Sequence, residues 1–346
     1  MTKINGRSLQ TVRGIVFGAL LLGMLVSMAC SQETSFNQRA EKLGLKFITD
    51  VPMTGGATRF DYQSVNEVNR RLYIAHMGSD RVSVFDMDAG KVIQDIPDMP
   101  DVHGVLAVPG LHRVYASTTG KNEVAVIDEN TLQKVASVQA GDYPDGLAYA
   151  PVQKRVFVSD EHGKTVSVMD AVNNQFLKKI AIGGEVGNTH YDSVSGWIIT
   201  ADQTNNQLVA IDPGRLTIIK RYNLPGCRGA HGFYIDTQTH YALITGEDNA
   251  SFVALDLTSG VTVAKDQVGR DPDVLAFDIQ KHLLFVSSES GNVSVFKVEP
   301  NNVRKISQSF FYAGAHTISI DQKKHLLFFP LKNVAGKPVL RVMQIR

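Results

Sequence analysis

The chain has 346 residues, 43% of them hydrophobic and 20% charged, and 35 Lys and Arg against 34 Asp and Glu give a formal net charge of +1. This balance excludes a disordered polyelectrolyte and is ample for one large repeat domain. Two cysteines exclude a disulfide-built scaffold.

The chain opens as a targeting segment. Lys3, Arg7 and Arg13 flank or precede an apolar run from Gly14 to Met28 that ends in small residues. The run is too short and too glycine-rich to favour a stable membrane span. Ser27-Met28-Ala29-Cys30 resembles the lipobox of bacterial lipoproteins, although an aliphatic residue is usual where Ser27 stands. The resemblance implies cleavage before Cys30 and lipidation of that residue, with plain signal cleavage or an uncleaved anchor as the alternatives. With no Asp after Cys30, it implies the bacterial outer membrane and a periplasm-facing, lipid-anchored envelope protein. Residues 1–29 are therefore expected to be the signal peptide, 30–42 a polar tether and 43–346 the folded domain. Cys227, left without a partner, reads as a packed thiol.

From Leu45 onward the sequence repeats. Second-strand patterns begin at Leu72, Val114, Val156, Trp197, Tyr241, Leu283 and Leu326, spaced by about 42 residues. Third strands follow in step and end at Asp86, Asp128, Asp170, Asp212, Asp256 and Lys297. An Asp leaving a strand accepts hydrogen bonds from the next turn, so these aspartates read as turn residues rather than catalysts. Four short β-rich runs per repeat predict an all-β, seven-bladed β-propeller of four-stranded blades. The final copy lacks a fourth strand, and Leu45 to Gly56 supplies the missing pattern, closing the ring with an N-terminal strand. Trp197 falls at a strand start among apolar neighbours and reads as core.

The phrases from Gly78 to Ile96 and from Gly120 to Tyr149 resemble the YVTN repeat of YncE-like bacterial propeller proteins. That resemblance implies the fold and an envelope setting. It carries no catalytic residues across, because the family spans surface-layer, DNA-binding and uncharacterised members.

Chemistry is expected at the mouth of the central channel, on the face where each first strand begins, here called the top. The aligned positions are Arg59 or Phe60, His103, Asp145, Gly187 to Asn188, His231, Asp273 and His316. Second-to-third-strand turns add His76, Asp160, Glu161, His162, Asp202, Glu247, Asp248 and Glu289 on the same face. Imidazoles with carboxylates suit a divalent metal or acid–base work, so His103, His231, His316, Asp145 and Asp273 are candidate ligands for a small molecule or a metal. The alternative is a structural ring that holds water and fixes loops.

The opposite, bottom face gathers Arg70, Arg71, His112, Arg113, Lys154, Arg155, Lys281, His282, Lys323, Lys324 and His325. It reads either as solvated turns or as a contact for lipid headgroups or nucleic-acid phosphate. Without aromatic interleaving, sequence-specific nucleic-acid recognition is not expected. No Gly-x-Ser-x-Gly or phosphate loop is present. The leading expectation is a monomeric envelope lipoprotein whose propeller binds a small ligand or an envelope protein at the channel mouth. The alternatives are a metal-assisted lactonase or related hydrolase at the same ring, and a YncE-like phosphate or nucleic-acid binder on the basic face.

Overall fold

The computed structural model describes residues 34–346. The expected signal peptide and Cys30 lie outside the described residues. Seven four-stranded antiparallel sheets form the ring, and in six of them the strands follow chain order from the axis outward. Alternating β-branched and aromatic residues explain this. In the second and third strands of each blade, such as Arg113–Thr118 and Glu123–Asp128, the four central residues are buried on both faces. Fourth strands such as Gln133–Gln139 alternate toward solvent, as outer edges do.

The seventh sheet is completed by β1, Leu45–Pro52, which pairs antiparallel with the last strand, Lys337–Ile345, from Leu45 opposite Ile345 to Pro52 opposite Val339. The predicted closure is thus present. Directly opposed Asp50 and Arg341 form a bidentate pair at 2.8 and 2.7 Å across this junction. Seven apolar clusters fill the gaps between adjacent blades, one per gap. The ring is therefore held by burial between blades, and every blade needs both neighbours.

Residues 34–42, expected within a free tether, are helical and lie against the junction of the last two blades. Phe36 packs on Phe311 and Phe47 with Arg341 over its ring, and Ala40 is buried. The polar composition hid this because only two or three apolar residues make the contact. No helix among the described residues is long and apolar enough to cross a membrane.

The recurring aspartates are turn residues. Asp86, Asp128, Asp170, Asp212 and Asp256 each accept two backbone N–H bonds from the residues two and three places on. Asp236, Asp278 and Asp321 do the same after first strands. Cys227 is buried, and burial pushes its thiol up to about 11. Trp197 is half-buried at the edge of the cluster between the fourth and fifth blades.

Candidate functional site

The first strands ring a channel with a cavity of about 300 Å³, lined in part by Tyr62, Leu106, Leu147, Phe233, Leu275 and Ile318. Above it, where each strand begins, seven equivalent positions face the axis. Strand register makes them Asp61, His103, Asp145, Gly187, His231, Asp273 and His316. The five residues expected here are present as one ring. Asp61, one to two places beyond the expected Arg59 or Phe60, is the first blade's member. A fixed offset identifies it: Asp61 stands eleven residues before Leu72, as His103 does before Val114 and Asp145 before Val156.

Glycine makes the ring narrow. At Gly104, which follows His103, an added Cβ would lie 2.1 Å from the Asp145 carbonyl oxygen. At Gly232, after His231, it would lie 1.7 Å from the Asp273 carbonyl oxygen. Neighbouring first strands approach this closely only because no side chain intervenes.

A second tier covers one side of the ring. Immediately after successive second strands stand Glu161, Gln203, Glu247 and Glu289, from the third to the sixth blade. Other candidates from these turns serve structure. Asp160 bonds Gly141 N, Thr165 and Ser167. Asp202 holds Asn205 and Arg221, and His76 is fully buried and stacked on Phe60. His162 lies against the Tyr143 ring. An added Cβ at Gly229 would meet the Asp248 carboxylate at 2.9 Å, so Asp248 fills a turn beside the ring.

Bonding within the ring is uneven. His103 donates from Nδ1 to the Asp101 carbonyl at 2.8 Å, which leaves Nε2 to accept from Tyr143 at 3.1 Å. His316 donates from Nδ1 to Asp273 Oδ2 at 2.8 Å. Arg59, just outside the ring, pairs with Glu289 and lies 3.9 Å from both Asp61 and Asp273 Oδ2. Tyr62 reaches across the channel, its hydroxyl 3.0 Å from His231 Nε2 and 3.4 Å from Asp273 Oδ1. The Gln203 amide bridges His231 Nδ1 at 2.9 Å and Glu161 at 3.3 Å. Asp145, only 3% exposed, keeps Oδ1 without any hydrogen-bond partner among the described residues.

Protonation follows from this crowding. Burial, reinforced by the Asp273 charge, holds Asp61 up to about 7, and burial does the same for Asp145 and Glu247. Burial disfavours a charged His231, yet Glu247, Asp273, Asp145 and Glu161 outweigh it and hold the imidazole up to about 9. Asp273 runs the other way. Burial would raise it, but the hydrogen bond and charge of His316, with His231 and Arg59, keep it below the usual carboxylate range.

The bottom face is not uniformly basic. The turns between third and fourth strands lie there too and bring Asp86, Asp88, Asp128 and Glu129 among the cations. Arg113 pairs with Asp128, Lys324 with Asp88, and Arg71 donates to the Glu129 carbonyl. Two of the expected contact residues bridge blades instead, Arg70 to Asp321 and His325 to Asp278 at 2.7 Å, and His240 likewise reaches Asp192 at 2.8 Å. Counting only one set of turns exaggerated the positive charge.

No protein-family model and no curated protein matches the chain. Among solved structures, it is similar to hydrazine synthase of Kuenenia stuttgartiensis, with a TM-score of 0.69 and 12% identity over 81% of this chain and 94% of that one. It is equally similar to the selenomethionine-substituted virginiamycin B lyase of Staphylococcus aureus, with a TM-score of 0.69 and 13% identity over 87% of this chain and 100% of that one. The chain is a seven-bladed β-propeller. At such identities the likeness reaches no further than the fold, and no family model or curated protein matches to support the YncE-like resemblance.

Proposed function

We propose that this propeller is a binding module of the bacterial envelope that takes a small cationic ligand at its channel mouth. One observation carries the reading: six carboxylates converge there, and one of them, Asp145, is buried with an oxygen that no group among the described residues satisfies. A buried carboxylate without a donor is costly, and a cation seated in the mouth removes that cost. Asp61, Asp145, Glu161, Glu247, Asp273 and Glu289 face Arg59, His231 and His316 as the main positive groups, so the mouth favours positive charge.

Thermal shift with spermidine and with divalent metal chlorides tests this reading. A ligand at one hundred times its Kd adds about 2.7 kcal/mol, which for 313 described residues corresponds to a rise of about 4 °C. Parent protein that shifts with no cation, or an Asp145→Asn variant that responds as strongly as the parent, would refute it.

The envelope address rests on the Lys3 to Cys30 pattern. Labelled palmitate should enter the chain when it is expressed in a bacterium with the lipoprotein pathway, and Cys30→Ser should abolish incorporation. Incorporation that persists in Cys30→Ser would refute lipidation there.

A further inference from the structure

The ring contains two sets of donors with metal-ligand spacing. Asp61, Asp273 and His316 form one, His231, Glu247 and Asp273 the other, and within each set the donor atoms lie within 4.8 Å of one another. Asp273 belongs to both, through different oxygens. Its Oδ2 faces His316 and Arg59, while its Oδ1 faces His231 and Tyr62.

The two sides differ in how far the chain has already neutralised them. On the first, the Arg59 guanidinium stands beside Asp61, Asp273 and Glu289, and His316 hydrogen-bonds Asp273. A protein cation fills the role of a metal there. On the second, among the described residues, Glu247 makes no side-chain hydrogen bond or ion pair and Asp145 Oδ1 has no partner, and His231 is the charged group acting most strongly on Asp145. Asp273 and Glu247, with Asp145 and Glu161 also acting on the imidazole, face His231 as their main positive group, so acidic groups outnumber cations more on this side than on the first.

Resting on the reading of the mouth as a cation site, we propose that it holds a divalent transition-metal ion on the His231–Glu247–Asp273 side, with Arg59 closing the Asp61–His316 side against a second ion. Metal bonds of about 2.0–2.2 Å place neighbouring donors roughly 3–3.5 Å apart. His231 Nε2 and Asp273 Oδ1 are 3.9 Å apart and both contact the Tyr62 hydroxyl, so an ion takes the place of that hydroxyl as a modest inward turn of the side chains brings the two atoms into range. The mixed nitrogen and oxygen set with no thiolate suits Zn²⁺ or Mn²⁺ better than Mg²⁺ or Ca²⁺, which prefer all-oxygen sites.

The test is equilibrium dialysis of full-length protein, purified without a histidine tag, against Zn²⁺ and Mn²⁺ with metal content measured per chain. One ion per chain is expected. Glu247→Gln should weaken it at least about tenfold, as loss of a ligand or its close support does, and Asp61→Asn should change it less than threefold. His231→Gln provides a second loss-of-binding variant if Glu247→Gln fails to fold. Loss in Asp61→Asn with retention in Glu247→Gln would overturn the assignment of sides, and two ions per chain would overturn the role of Arg59. If neither metal binds while spermidine still raises the unfolding temperature, the metal assignment fails and the cation-binding reading stands. If neither metal nor spermidine acts, both fall.

Discussion

Arg70 and Asp321 form a buried ion pair across the seam between the first and seventh blades, where ring closure is most exposed to failure. Asp321 is fully buried and is held by both Arg70 nitrogens, one at 3.0 Å, and by the backbone N–H groups of Lys323 and Lys324 at 3.0 and 3.1 Å. Arg70→Met keeps most of the side-chain volume and leaves this carboxylate with only its two backbone donors. The backbone contributes nothing to the difference, since residue 70 sits at φ 59° and methionine and arginine meet the same left-handed penalty there. Breaking one partner of a buried pair costs about 3–5 kcal/mol. With an unfolding entropy of about 2.1 cal/mol/K per residue, the 313 described residues convert that loss into a fall of roughly 5–8 °C. Thermal unfolding by circular dichroism measures it. Asp321→Asn in the Arg70→Met background should recover part of the loss, giving a coupling of about 1–3 kcal/mol. A midpoint for Arg70→Met within 1 °C of the parent, or strictly additive losses in the double variant, would refute the claim that the seam depends on this pair.

Three further perturbations test other parts of the structure. His76 is fully buried against Phe60, and burial, with the Arg81 charge, lowers its pKa to about 4. Its folded pKa lies below the unfolded value, so stability is complete above the unfolded pKa of about 6.5 and falls as pH drops toward 4; by pH 4.5 the loss is about 2.5 kcal/mol. Unfolding free energies from urea titrations at pH 7.5 and 4.5 should therefore lie closer together for His76→Gln by about that amount, and an unchanged difference between the two would exclude the mechanism. Gly232→Ala places a methyl against the Asp273 carbonyl and should cost about 1–3 kcal/mol while weakening cation binding, whereas Gly110→Ala, with nothing within 4 Å, should leave the midpoint and binding unchanged; equal effects in both variants would show that close strand approach is not what narrows the ring. Deletion of Leu45 to Val51 removes the strand that completes the seventh blade and uncovers Leu340 and Met343, so the variant should lose the cooperative transition; retention of the parent midpoint would show that the ring closes without it.

The blade repeat was legible because each copy uses the same apolar alternation and the same turn aspartate, so local pattern and global fold agree. Asp61 was not read correctly because its first strand is short, Gln63–Asn66, and Thr54 to Phe60 carries no strand pattern by which to place it. Only the second strand that follows fixes its position. Inter-blade bonds such as His325 to Asp278 join residues 47 apart and leave no mark in any local window, which is why cations that fasten blades together looked like a free basic surface. The docked helix at 34–42 escaped for a related reason: its contact depends on Phe36 meeting Arg341, near the other end of the chain.

Function in such a ring has to come from the places where the repeat fails. Seven identical mouths would give a symmetric ring of like charges, each raising the pKa of the next and none distinguishing one side from another. Here the inner ring runs Asp, His, Asp, Gly, His, Asp, His, and the outer tier places Glu, Gln, Glu and Glu on four successive blades only. Arg59, in the loop between the ring-closing strand and the first blade, then neutralises one side and leaves the other. The loop that leads from ring closure into the first blade thus breaks the symmetry of the mouth. Replacing Arg59 by Gln should for that reason do little to blade packing while opening the Asp61–Asp273–His316 side to a second cation. That outcome would show as a rise from one to two ions per chain in the same dialysis, and an unchanged single ion would show that Arg59 does not guard that side.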